Sequence, residues 1–117
     1  MASTQPPIPT ELTLRKRTRT LVVKFSDGVE AALSAEFLRV HSPSAEVQGH
    51  SAGEGILVRD KESVAITRIE PVGRYAVRLV FDDGHDSGLY TWKVLHDMCS
   101  RHEQMMQRYR DRVAAAT

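Results

Sequence analysis

Four residues able to move protons or hold ions crowd one stretch of this chain. They are Asp83, His85, Asp86 and Ser87, in the run DDGHDSG. A carboxylate beside an imidazole favours the charged ring and fixes its tautomer, which suits general acid–base work. The same types suit a metal, with imidazole as ligand and carboxylate behind it. They are equally the residues of a tight turn: Asp-Gly for positive φ, a second aspartate as side-chain cap, and a half-exposed histidine with no chemical task. The pattern alone leaves these readings open.

Other candidates lie farther off. His41 and His50 flank a serine-rich loop and, with His85, would make a three-histidine site for zinc or iron. Their spacing matches no ligand motif with a mechanical basis. Cys99 is the single cysteine, with His96 and His102 three residues to either side. A nucleophilic pair would also need an orienting group and an oxyanion site, and neither is visible, so Cys99 reads as a small buried apolar residue. Tyr90 and Trp92 could stack on a ligand or anchor a helix to a sheet. The basic run Arg15–Arg19 is an anion patch or a solvated turn. There is no glycine-rich phosphate loop after a strand, no Gly-x-Ser-x-Gly elbow and no HExxH.

The elements that must position these residues can be read from patterning. Leu12 and Leu14 alternate with polar residues, as in a half-buried strand. Thr20–Leu33 reads as a hairpin, with Leu21, Val23 and Phe25 on one face and Ser26-Asp27-Gly28 as its turn. Ser34 caps a short helix, Ala35–Val40, and Pro43 ends it. Gln48–Gly55 reads as a loop. Val64–Ile69 reads as a strand with Pro71-Val72-Gly73 as its turn. Tyr75–Phe81 is apolar enough on both faces to be central. Asp82–His85 turns it and Asp86–Tyr90 returns. Thr91 caps a helix from Trp92 to about Val113, with Trp92, Leu95, Cys99, His102, Met106, Tyr109 and Val113 on one stripe. That stripe covers a sheet face or pairs with a second subunit. No internal repeat is visible. The fold class expected is α+β: a mainly antiparallel sheet of about five or six strands, one short helix and a long C-terminal helix.

The chain has 117 residues, which suits one domain with a modest core. Residues 1–10 read as a disordered lead-in, 11–113 as the domain and 114–117 as a frayed tail. A net charge of +1 gives no global field for nucleic acid or an anionic membrane. The N-terminus has no basic region before an apolar run, and no apolar stretch approaches the roughly 20 residues that span a bilayer. A cytoplasmic location is the expectation.

FLRVHSPSAEVQGH (Phe37–His50) and IEPVGRYAVRLVFDDGHDSGLYTW (Ile69–Trp92) resemble a family of small bacterial proteins of unknown function, similar to the N-terminal domain of gamma-butyrobetaine hydroxylase. The resemblance covers roughly Pro9 to Ser100. The stretch also looks like the domain appended to some P-loop iron–sulfur scaffold proteins of the Mrp type. In the hydroxylase this domain holds a structural zinc through three cysteines and a histidine. Matched residue by residue, Phe37-Leu38-Arg39 stand at a Trp-Leu-Arg stretch, Ser42, Ser44 and Val47 stand at the cysteines, and only His85 matches a ligand. The resemblance therefore implies the fold, with Ser42 and Ser44 close to His85, and a zinc site that is lost. The oxygenase chemistry belongs to a separate, larger domain that a chain of this length does not contain.

The expected role is a non-catalytic accessory domain using the Arg39–Ser44 and Asp83–Trp92 surfaces to contact a partner protein or small ligand. The link to iron–sulfur scaffolds implies a version in cluster or metal trafficking. The candidate binding residues are Arg39, His41, Ser42, Ser44, Asp83, His85, Ser87, Tyr90 and Trp92. No catalytic residue, metal ligand or cofactor is assigned. The alternatives are a metal-binding or enzyme-like site on His85, with His41 or His50 and Asp83 or Asp86, and a homodimer assembled through Trp92–Val113.

Overall fold

The computed structural model describes residues 6–44 and 57–116. Val47, His50 and the loop expected at Gln48–Gly55 lie outside the described residues, as do the first five residues of the lead-in.

The architecture is α+β, with six antiparallel strands among the described residues, within the five or six that the patterning predicts. They form two sheets of three rather than one sheet. Strands β1 (Pro9–Arg15), β2 (Thr20–Phe25) and β3 (Glu30–Ser34) make the first meander, followed by helix α1 (Ala35–Val40). Strands β4 (Ile66–Val72), β5 (Ala76–Phe81) and β6 (Leu89–Thr91) make the second, followed by α2 (Trp92–Ser100) and α3 (His102–Ala116). The order of elements thus repeats, three strands then a helix, where the sequence shows no repeat. The helix after each meander starts on a hydroxyl cap. Ser34 Oγ accepts from Phe37 N at 3.0 Å and Thr91 Oγ1 from Val94 N at 3.1 Å. Each cap satisfies a backbone donor that the first helical turn leaves without an intrahelical partner.

Strand alternation puts one face of each sheet on a shared core. Leu21, Leu33, Phe37, Leu38, Leu79, Tyr90 and Leu95 are all fully buried in it. Each such leucine or phenylalanine stabilises the fold by roughly 1.5–3 kcal/mol. Two expectations are corrected. Pro71 and Val72 belong to β4, and the turn comes at Gly73, whose φ is +62°. A proline fits there because β4 lies at the edge of its sheet, where strand prolines are confined. The single long helix breaks at Arg101, with φ −113° and ψ 16°. The break turns α3 so that His102 and Tyr109 reach α1. Their rings lie 4.7 Å from Phe37 and 6.2 Å from His41 respectively, by centroids. Met98, off the expected stripe, is 4% exposed. Among the described residues no helix is long and apolar enough to cross a membrane.

Candidate functional site

The turn after β5 is built locally. Gly84 N donates to Phe81 O at 3.2 Å, Phe81 N donates to His85 O at 3.0 Å, and Gly84 has φ +92°. Glycine takes that conformation without a Cβ clash. Asp83 Oδ1 accepts from His85 N at 3.1 Å. The ladder between β5 and β6 begins only at Arg78↔Leu89, so Asp86–Gly88 lies outside it.

That detour meets the loop after α1. Ser42 Oγ and His85 Nε2 share a hydrogen bond of 2.9 Å, and Ser44 Oγ and Ser87 Oγ share one of 2.7 Å. Ser42 is fully buried, Ser44 is 5% exposed and His85 is 6% exposed. Tyr90 OH donates to Leu38 O at 2.5 Å, tying β6 to α1. Burial pushes the Tyr90 phenol well above its ordinary pKa. The contact depends on Gly88, a residue that no local signal singles out. A Cβ there would stand 2.3 Å from Ser42 Oγ and 3.2 Å from Tyr90 Cε1. No pattern along the chain marks it, because the neighbour that needs the space is far away in sequence.

Above the buried layer sits an ion cluster. Arg39 Nε and Lys61 Nζ both donate to Asp83 Oδ2, at 2.9 and 2.7 Å. Partial burial works to raise the Asp83 pKa, but bonds from Lys61, the His85 N–H and Arg39 outweigh it and hold the carboxyl at about 2. Arg39 faces inward, with its side chain 12% exposed and Nη1 buried without a hydrogen-bond partner among the described residues. Lys61 is likewise absent from the candidates that the sequence suggests, since nothing local couples it to Asp83.

The remaining candidates are elsewhere. His41 turns to the other side of α1. Its Nδ1 lies 2.9 Å from Phe37 O, and its ring lies 4.6 Å from Phe37. Burial lowers its pKa; the Phe37 carbonyl opposes this, and Arg112 and His102 add to it. His96 Nε2 is 2.8 Å from Asp27 Oδ2, on the first sheet's hairpin turn. Cys99 is 9% exposed, and burial raises its thiol to about 11, so it is not a thiolate near neutrality. Trp92 is half-buried, its Nε1 donating to Arg74 O at 3.1 Å. Asp86 is exposed.

A Ser–His contact raises two chemical readings. A nucleophilic serine must be reachable, and Ser42 is sealed from solvent. A structural zinc takes four donors at about 2.0–2.3 Å, thiolates and imidazoles above all. Here the His85 ring nitrogen meets a neutral hydroxyl, Ser42 Oγ. Among the described residues no group of three His, Cys, Asp or Glu side chains could hold a metal ion. The donor set does not fit a thiolate zinc site.

Residues 12–96 match the family model described as gamma-butyrobetaine hydroxylase-like, N-terminal. The chain belongs to this family. A comparison with curated proteins gives no match. Two solution NMR structures are similar throughout. One is 48% identical with a TM-score of 0.81, covering 99% of this chain and 86% of the other. The second is 45% identical with the same TM-score of 0.81, covering 94% and 86%. A crystal structure of an Acidithiobacillus ferrooxidans protein of unknown function, from the DUF971 family, is 35% identical with a TM-score of 0.64, covering 78% of this chain and 91% of that one. The Acidithiobacillus ferrooxidans protein of unknown function therefore shares this fold.

Proposed function

We propose that this family member is a non-catalytic accessory domain that works by contacting a partner protein. One observation carries the reading. The residues best suited to chemistry are spent on each other inside the fold: Ser42, Ser44 and His85 are at most 6% exposed. They join the α1 loop to the β5–β6 turn, and the Asp83 cluster clamps the same junction from outside. What the surface offers instead is apolar. Tyr75 is 67% exposed, Ile8 53% and Leu89 46%. Isolated exposed apolar residues are ordinary, but Tyr75 and Ile8 line one cleft together with Trp92. The contact surface is accordingly moved from the Arg39–Ser44 loop toward the Trp92 end of the Asp83–Trp92 stretch. The resemblance to the domain on Mrp-type scaffolds adds a version in which the partner handles iron–sulfur clusters or metal ions.

The test compares proteins captured from cells by the native chain and by Tyr75→Glu, with thermal unfolding as the control. The expected outcome is a partner lost by a variant that melts like the native chain. Identical capture by both, or a turnover activity abolished by His85→Gln, overturns the reading.

A further inference from the structure

We infer that the basic turn between β1 and β2, together with the groove beside it, binds a carboxylate-rich segment of a partner protein. This surface is separate from the apolar cleft beside Trp92, which adjoins Ile8 at the opposite end of β1. Arg15, Lys16, Arg17 and Arg19 put four cations into five residues. All four are exposed. Elsewhere Lys24, Arg39, Lys61, Arg68, Arg78 and Arg101 each meet a carboxylate. Among the described residues, no carboxylate stands in ion-pair range of the four cations of the turn. Their mutual repulsion is left standing in the free protein, and an acidic partner relieves it.

The turn is also held in shape. Arg15 pairs with Thr20, and Thr18 Oγ1 shares a hydrogen bond of 2.8 Å with Thr20 Oγ1. Arg19 O accepts from Ala35 N at 2.8 Å, which ties the turn to the start of α1. Backbone fixed in this way has less freedom to lose on binding. Arg19 has φ +54°, a left-handed conformation that glycine or asparagine adopts at lower cost. An arginine placed where the backbone favours glycine points to a use for its charge.

The groove gives the segment a path. It lies between the first sheet and α3, with a volume of about 700 Å³ and with Thr20, Ser34, Gln104, Gln107 and Arg110 in its lining. Arg19 stands at its Thr20 end, and Arg110 adds a fifth cation. Two acids are close by. Glu103 lines the groove, and Glu36, next to Ala35, accepts from Tyr109 OH at 3.2 Å. The cations outnumber them, and the hydroxyl and amide side chains suit the backbone of an extended segment. A nucleic acid fits less well. Single strands are held by bases stacked on aromatic rings, and among the described residues no Phe, Tyr or Trp lines the groove. A net charge of +1 also supplies no wider field for a polyphosphate.

The probe is a labelled, end-blocked peptide of alternating aspartate and glutamate, followed by fluorescence anisotropy, with a control in which asparagine and glutamine replace them. The expected result is saturable binding of the acidic peptide that weakens as salt is raised. Binding should be about tenfold weaker in Lys16→Gln/Arg17→Gln. Lys24→Gln/Arg68→Gln removes the same net charge away from the turn and should bind as the native chain does. Arg19→Gly should bind about threefold more weakly yet melt no lower than the native chain, because glycine takes the positive φ freely. A residue with only a structural part in the turn would not separate binding from melting in this way. No saturable binding, equal binding of the amide control, equal loss in the two double variants, full binding by Arg19→Gly, or tighter binding of a single-stranded DNA of the same charge overturns the inference.

Discussion

The molecule contains the same turn twice. Phe25-Ser26-Asp27-Gly28-Val29 and Phe81-Asp82-Asp83-Gly84-His85 have the same backbone bonds, glycine to phenylalanine carbonyl and phenylalanine to the fifth residue. The glycines have φ +91° and +92°, and each central aspartate accepts from the fifth residue's N–H at 3.1 Å. Beyond the fifth residue the two diverge. In the first, pairing resumes at once with Lys24↔Glu30 and Val23↔Ala31, and β3 is a plain strand. In the second the fifth residue is a buried histidine, Asp86–Gly88 leaves the ladder, and a distant loop fills the gap. Asp27 meets one histidine, whereas Asp83 meets two cations. An Asp-Gly turn is therefore a local solution that says nothing about use. The use is set by the residue just after Gly84, the buried His85, and by a second glycine, Gly88, that lets another loop approach.

The sharpest way to break this comparison is at Gly88. Gly88→Ala drives a methyl into Ser42 Oγ and should cost about 3 kcal/mol, since the Ser42–His85 contact must open to admit it. Ala31, the residue three before the helix cap of the first hairpin, pairs normally with Val23. Ala31→Gly should cost only about 0.5–1 kcal/mol. Urea midpoints of the two variants decide it, and equal shifts would mean that Gly88 is not special.

The aspartates come next. Asp83→Asn leaves Arg39 and Lys61 facing a neutral amide at a site where their side chains are 12% and 26% exposed, and should cost about 2 kcal/mol. Asp27→Asn touches a more open pair that solvent screens, and its urea midpoint should move less than that of Asp83→Asn. A reversed order would place the clamp on the wrong turn.

Much of the fold was legible in the sequence, and unevenly. Period-two alternation marks β2 and β5, Ser34 and Thr91 mark their helices, and Asp-Gly marks both turns, because each signal acts within a few residues. The approach of Ser42 to His85 came from family resemblance and not from spacing, since 43 residues separate them. The division into two sheets was not legible, because pairing is a non-local choice that alternation does not encode. Nor was the break at Arg101, where neither proline nor glycine interrupts the helix pattern. The part played by His41 depends on that break, as only a turned α3 brings Tyr109 to it.

A double-mutant cycle tests the internal lock itself. Ser42→Ala and His85→Ala share one hydrogen bond, so their combined cost should fall short of the sum by about 1 kcal/mol. A control pair on the return side of the first hairpin, Val29→Ala with Ala31→Gly, has no side-chain hydrogen bond to lose and should be additive within about 0.5 kcal/mol.

Acid should then separate the turns by where stability drains away. The Asp83 carboxyl sits at about 2 when folded against 3.8 ordinarily, so its contribution is complete above 3.8 and is lost as the pH falls through about 2. His41 acts earlier and outside both turns. Burial lowers its folded pKa from 6.5, so the unfolded chain takes up the proton first and stability falls as the pH drops below 6.5. Unfolding free energy measured against pH should thus decline in two stages. His41→Gln should flatten the upper stage and Asp83→Asn the lower one. Asp27→Asn should leave most of the lower stage standing, because its one ionisable partner is a partly exposed histidine where Asp83 meets two cations. A lower stage erased equally by both aspartate variants would make the two turns electrostatic equals, against the geometry that distinguishes them.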